Sequence, residues 1–239
     1  MDNRYSRQIA FQGIGTDGQR RIQNAHICIV GLGALGTAAA DRLCRAGVGT
    51  LRLIDNDSVE LSNLQRQTIY SEADIGVAKL DAAARRLFEI NAGVEIESFK
   101  CRLKTSNAYQ LLGKCDTVLD CTDNIAARHV INDTCHALGI PWIHGAAAGS
   151  SGVVFSVVPD GACFRCLYPH DNVNGETADT LGMLGTLTGI IGTLQANEAM
   201  KLIVGAKPSD LLMLDIWNNT CETIKIEHNP DCPVCGGGQ

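Results

Sequence analysis

Two CxxC pairs, CFRC at 163–166 and CPVC at 232–235, offer four thiols as metal ligands: Cys163, Cys166, Cys232 and Cys235. Each pair sets two sulfurs on a tight turn, and two such turns complete a tetrahedral thiolate site of the kind that holds structural Zn²⁺. The 65 residues between the pairs exceed a compact finger, so the site would be a clip joining distant segments. Such a clip stabilises by closing a long loop. Disulfides or redox pairs are the alternatives. Four protein ligands leave no open coordination position, so no catalytic role is expected of the clip.

A second group begins at GLGALG (31–36). Gly31, Gly33 and Gly36 allow a tight turn, close phosphate approach and close packing at a helix N-terminus. Asp55 lies 19 residues beyond Gly36, near the spacing expected of a ribose-binding acid. A glycine turn needed only for packing is the plainer reading. The complete strand–turn–helix–strand–acid context favours a nucleotide, but this motif alone does not separate NAD from ATP.

Asn63, Arg66 and Lys79 follow. The planar fork of Arg and the point charge of Lys both suit phosphate, and Asn63 could orient one oxygen. The alternative is a solvated loop with ordinary surface charge. Asp123, in DCTDN, lies just past the carboxyl end of a strand, where ligands collect in open α/β sheets. A carboxylate facing phosphates there is a natural Mg²⁺ ligand. Equally, it could cap the helix that starts near Ile125.

The elements that would position these groups alternate. Residues 1–25 read as a polar helical arm. HICIVG (26–31), TLRLID (50–55), VEIESF (94–99) and IPWIHGAAA (140–148) read as strands, and DTVLDCTDN (116–124) as a strand running into a turn. Residues 34–47, 77–91 and 125–139 read as helices, with Gly47 a stop for the first. This rhythm predicts an α/β, Rossmann-like, mostly parallel sheet flanked by helices. After about residue 150 it changes. A strand at 152–160 turns back, a helix runs over 191–205, and 211–217 with 221–227 form a hairpin. This smaller antiparallel part should continue the same sheet and carry the zinc clip. His144, at a strand end near the site, reads as a packed core histidine.

The net charge of −6 argues against a broad nucleic-acid-binding face, though not against a local basic pocket. The start lacks an apolar signal region, and the apolar run at 181–196 is short and glycine-rich, so no membrane span is expected. Eleven cysteines, an odd number, without an export signal point to a reducing cytoplasm. The seven outside the CxxC pairs, Cys221 among them, read as core.

Taken together, these stretches resemble the ThiF/MoeB/HesA family, bacterial relatives of the ubiquitin-activating enzymes. The resemblance rests on RYSRQI (4–9), GLGALG (31–36), AGVGTLRLIDND (46–57), LSNLQRQ (61–67), Lys79 after DIGVA, LDCTDN (119–124), CFRCL (163–167), GTLQANEAMKL (192–202) and CPVCGG (232–237). It spans nearly the whole chain. It implies one domain over 1–239: a helical arm (1–25), a nucleotide-binding βα core (26–149) and a carrier-binding part with the four-cysteine zinc site (150–239).

The resemblance also implies an activity, ATP-dependent adenylylation of a small ubiquitin-like sulfur carrier ending in Gly-Gly. The carrier's carboxylate attacks the α-phosphate, giving an acyl-adenylate and pyrophosphate ahead of thiocarboxylate formation. By matching position, Asp55 binds the ribose, Asn63, Arg66 and Lys79 the phosphates, and Asp123 holds Mg²⁺. Asp57 and Asn124, in the same motifs, join the nucleotide contacts. Arg7 reaches into the neighbouring protomer's site, which implies a homodimer. One departure stands out. Several family members carry a cysteine where this chain has Ala178, and 171–188 contains none. A covalent step there is not expected, so a separate sulfur donor is. The alternatives are an NAD-dependent oxidoreductase, a non-catalytic carrier-binding scaffold, and adenylylation of another carboxylate such as a peptide terminus.

Overall fold

The computed structural model describes residues 3–170 and 178–236. Two helices, α1 (Ser6–Ile9) and α2 (Gly15–Asn24), precede strand β1 (His26–Val30). Then come α3 (Ala34–Ala46), β2 (Thr50–Asp55), α4 (Lys79–Ile90), β3 (Glu95–Lys100), α5 (Thr105–Leu112), β4 (Thr117–Asp120), α6 (Ile125–Leu138) and β5 (Trp142–Ala148). The chain turns back in β6 (Ser151–Val157). It continues through α7 (Phe164–Leu167), α8 (Ala178–Leu181) and α9 (Gly185–Val204) to the hairpin β7 (Leu211–Asp215) and β8 (Thr220–Ile224).

The eight strands among the described residues form one sheet in the order β3-β2-β1-β4-β5-β6-β7-β8. The first five are parallel, and β6 to β8 are antiparallel. The chain winds outward from β1 to β3, then crosses back to place β4 on the other side of β1. This reversal opens a crevice at the carboxyl ends of β1 and β4, where open α/β sheets bind ligands. The register keeps those ends level, with Val30 opposite both Ile54 and Asp120.

Alternation along β1 assigns the layers. Ile27 and Ile29 face a core shared with α2, α3, α4 and α9, while Cys28 and Val30 face one shared with α5, α6 and α7. The long helix α9 is rich in apolar residues around its circumference, as expected of a helix packed between other elements. Among the described residues, no helix is long and apolar enough to cross a membrane.

Three details differ from the sequence reading. It assigns nothing between 100 and 115, where α5 supplies the crossover that a parallel β3-to-β4 connection needs. Only Ala108, Leu111 and Leu112 of α5 are buried, and that is too weak a periodic signal to read. The last long helix begins at Gly185, six residues before Ile191, because packing overrides the low propensity of Gly185 and Gly189. Cys221 lies exposed on the edge strand β8 rather than in the core.

Candidate functional site

The three glycines of the first loop have different reasons to be glycine. Gly31 has φ +92°, and a Cβ there would sit 2.7 Å from the Cys121 carbonyl oxygen across the crevice. A Cβ on Gly36 would lie 1.9 Å from the Gly31 oxygen. Both are fixed by the protein's own packing. Nothing lies within 4 Å of a Cβ on Gly33, so no protein atom excludes a side chain there. Gly33 caps α3, a 13-residue helix, without a side-chain hydrogen bond to its first amides. Such a terminus attracts anions.

Asp55 ties this loop to the end of β2. One carboxylate oxygen accepts from the Leu32 N–H at 2.6 Å, and the other from the Asp57 N–H at 2.7 Å. Each oxygen keeps a second lone-pair direction for a ligand hydroxyl. Tyr70 clamps the next segment. Its hydroxyl donates to the Leu32 carbonyl at 3.1 Å and lies 3.4 Å from that of Lys79. Burial pushes the Tyr70 phenol up, so it remains a donor. The 61–70 segment and the start of α4 are thereby held against the glycine loop.

Within that frame the two cations differ. Lys79 opens α4, is 6% exposed, and pairs its Nζ with Asp57 Oδ2 at 3.2 Å. It is no solvated surface lysine. Arg66 donates to the Ser62 carbonyl at 3.0 Å and has no carboxylate partner among the described residues. Asn63 turns inward to its own loop. Its Oδ1 accepts from the Glu60 N–H at 3.2 Å, and its Nδ2 faces Ser62 Oγ at 3.4 Å.

Beyond β4, the cap of α6 is Asn124, whose Oδ1 accepts from the Ala127 N–H at 2.9 Å. Capping is therefore not the role of Asp123. Its exposed carboxylate accepts a bond from Asn124 Nδ2 at 3.3 Å.

Behind Asp123 lies a cluster that sequence reasoning missed. Asp120, fully buried at the end of β4, accepts from the Thr122 N–H at 3.0 Å and Oγ1–H at 2.6 Å. Its other oxygen accepts from His144 Nδ1 at 2.8 Å and faces Arg128 Nε at 3.5 Å. Burial alone would push the Asp120 carboxyl up. The His144 hydrogen bond, Arg128 and Thr122 outweigh it and hold the group below the usual carboxylate range. Burial pushes the His144 imidazole down, against the pull of Asp120, so it is neutral at pH 7 and donates through Nδ1. His144 is thus a core histidine, as read, but one with a carboxylate partner. Gln195 of α9, also buried, donates to the Asp120 carbonyl at 2.7 Å. The only signal for this cluster is the acid ending β4. Its partners lie 8, 24 and 75 residues away.

Arg7 is exposed on α1. That arm rests on the other end of α3 and α4, where Gln8 donates to the Ala46 carbonyl at 3.1 Å and Asn91 donates to the Tyr5 hydroxyl at 2.9 Å. At about 1.5 Å per residue, α3 separates this end from the glycine loop by roughly 20 Å. The structure does not bring Arg7 to its own chain's crevice.

The four CxxC sulfurs all lie within 4.8 Å of one another. Cys163 and Cys232 are 3.5 Å apart at sulfur and Cys166 and Cys235 are 3.3 Å, too far for disulfides. Zinc–sulfur bonds of about 2.3 Å put tetrahedral sulfurs about 3.8 Å apart, so the cluster fits Zn²⁺. Burial pushes the Cys232 thiol up, but the Cys235 and Val234 N–H groups aimed at it bring it down to about 6. Position 178 opens α8, and residues 171–177 of the cysteine-free stretch lie outside the described residues.

The ThiF family model matches residues 5–234. The SAMP-activating enzyme E1 of Haloferax volcanii is 41% identical over 241 residues, covering 99% of this chain and 89% of that protein. The molybdopterin-synthase adenylyltransferase of Escherichia coli is 40% identical over 238 residues, covering 98% and 96%. The crystal structure of E. coli MccB with ATP has a TM-score of 0.87 at 23% identity, covering 99% of this chain and 75% of that one. At that identity the likeness concerns the fold. A family model running nearly end to end, joined by relatives this close over nearly all of both chains, places the protein: it belongs to the ThiF family.

Proposed function

We propose that this chain is an ATP-dependent adenylyltransferase that activates the C-terminal Gly-Gly carboxylate of a ubiquitin-like sulfur carrier. The observation that carries the reading is Arg66, an arginine without a carboxylate partner among the described residues, in a segment clamped to a glycine loop whose middle glycine leaves a helix N-terminus open. The names of the relatives, one activating SAMP and one an adenylyltransferase of molybdopterin synthase, support it. A dehydrogenase would leave Arg66 without a task.

The carrier's carboxylate is ionised at pH 7, so no general base is needed. It attacks the α-phosphorus, an acyl–O–P bond forms, and the bond to pyrophosphate breaks. The obstacle is repulsion between two anions. Arg66 and Lys79 offset it, Lys79 exchanging part of its contact with Asp57 for phosphate oxygen. Catalysis is then mostly positioning and electrostatics. Asp55 and Asp57 flank the ribose side, Asn63 closes the 61–63 turn beside the phosphates, and Asn124 holds Asp123 in place. Asp123, exposed and free of capping, suits Mg²⁺, which takes one or two carboxylates plus phosphate oxygens and would neutralise phosphate charge. Arg7 serves the neighbouring protomer's site in a homodimer. Residues 150–239 receive the carrier, the zinc clip is structural, a separate donor supplies sulfur, and the protein works in the cytoplasm.

ATP–pyrophosphate exchange against a panel of Gly-Gly-ended carriers tests the activity. Carrier-dependent exchange supports it. Stabilisation by NAD but not Mg-ATP, with no exchange for any carrier, sinks it. The homodimer is tested by mixing Arg7→Ala with Lys79→Ala. If Arg7 acts across the two-fold axis, subunit exchange restores about a quarter of the sites. No recovery after confirmed exchange removes Arg7 from the partner's site.

A further inference from the structure

The cysteine clip and the Asp123 turn belong to different halves of the sheet, yet side chains connect them by two routes. In the first, Phe164, between Cys163 and Arg165, is fully buried with its ring centroid 4.9 Å from that of His144. His144 bonds Asp120 at 2.8 Å, and Asp120 bonds both the N–H and the hydroxyl of Thr122, the residue before Asp123. In the second, Asn132 of α6 accepts from the Phe164 N–H at 2.8 Å and places its Nδ2 3.7 Å from Cys163 Sγ. The next residue, Asp133, pairs with Arg165 at 2.9 Å. The same helix starts at the Asp123 turn, and its Arg128 donates to the Thr122 carbonyl at 3.0 Å. Asn124 and Asn132 are separated by about 12 Å of helix. Packed interiors transmit displacement, because buried side chains have few voids to yield into.

We infer that the loaded cysteine clip sets the geometry of the Asp123 turn, with Phe164, His144 and Asp120 as positioning residues along one route and Asn132 and Arg128 along the other. The inference rests on the proposed role of Asp123 as a Mg²⁺-binding carboxylate. It adds that metal in the cysteine site acts on the nucleotide site without touching nucleotide. Emptying the clip lets the CFRC turn shift, Phe164 loses its seat against His144, and the bond holding Asp120 toward Thr122 weakens. The 61–70 segment is outside both routes, since Tyr70 ties it to the Leu32 carbonyl.

Amide hydrogen exchange of the full-length protein tests this without any catalytic readout. Zinc is removed with phenanthroline, and zinc content is measured on the same sample. The Thr122 amide should exchange at least about tenfold faster in the stripped form, as for a local opening. The Thr50 amide, bonded to Ala25 at 3.0 Å at the other end of the sheet, should be unaffected. Phe164→Leu with zinc still bound should reproduce the Thr122 effect. The slowly exchanging Nδ1 proton of His144 should be seen by NMR in the loaded wild type and be lost in both altered forms. An unchanged Thr122 amide in Phe164→Leu, or an equal rise at Thr122 and Thr50, overturns the coupling. Failure of every carrier in pyrophosphate exchange would instead sink the proposed activity and leave this pattern intact.

Discussion

Strand β4 is buried along all four of its residues, whereas β8 is exposed along all five. The contrast separates the two halves of the sheet. In the parallel half, helices cover both faces and the loops at the strand ends are pinned by backbone-directed bonds from Asp55, Tyr70 and Asp120. Its buried carboxylates are paired, Asp120 with His144 and Asp74 with Arg85, whereas Arg66 has no carboxylate partner among the described residues. In the antiparallel extension little apolar surface remains to bury, and Trp217 at the hairpin turn is 75% exposed. A cluster of four cysteines that could hold a metal ion lies there and returns the chain end to the face shared with α6. The lesson is that one sheet relies on helix cover in its parallel half and draws distant cysteines together where packing is thin.

That division breaks if removing Arg66 or Lys79 behaves like a stability change. Arg66→Ala or Lys79→Ala should lower pyrophosphate exchange on the order of 10²–10³-fold, as for other preorganised charge-stabilising groups. The melting temperature should move little for Arg66→Ala, which has no ion pair among the described residues to lose. Wild-type exchange in both variants would remove them from the mechanism.

The extension should respond in the opposite way. Cys232→Ser removes one of four ligands and should cost roughly 3 kcal/mol or more. For a chain of this size that is about 6–12 °C in the melting temperature. Zinc content should fall with it, and an unchanged melting curve in zinc-free protein would show that the clip does not stabilise the extension.

A smaller effect sharpens the reading of the glycine loop. Gly33→Ala meets no protein atom, so stability should change by no more than about 1 kcal/mol, while thermal stabilisation by Mg-ATP should be much reduced. Undiminished stabilisation would mean that the phosphates do not approach Gly33.

The mildest expectation concerns acid. Asp74 and Asp120 are buried, and both carboxyls titrate below their usual range. Burial would raise Asp74; Ser71 and Arg85 outweigh it. Groups with depressed folded values contribute stability that is fully present above their unfolded pKa of about 4 and is lost as pH falls through the folded values. Acid unfolding followed by circular dichroism should therefore set in below about pH 4, and more gradually in Asp74→Asn. An identical acid profile in that variant would remove Asp74 from the account.

Much of this was legible in the chain itself. Strand–helix alternation gave the parallel half because both faces are covered and the strands are nearly continuous apolar runs. The two CxxC pairs pointed to a cluster of four sulfurs, and the four do come together. Lys79 and Arg66 were legible as a pair of cations, but not as one paired and one without a carboxylate; that depended on where Asp57 came to lie. For Asp123 the chain alone left cap and ligand open; Asn124 takes the cap, and the ligand role rests on the proposal. The helix α5 escaped because eight residues with three buried positions carry almost no period.

Amino-acid order dictated which groups exist and how the local elements arrange them: glycines ahead of a helix, acids at strand ends, thiols on turns. These are short-range properties, set by backbone geometry and side-chain type within a few residues. Which of the groups meet is a property of the folded chain alone. His144 reaches Asp120 across 24 residues, Gln195 across 75, and Cys163 faces Cys232 across 69. Such contacts depend on strand order and helix placement, which the whole core settles together, and no local pattern encodes them.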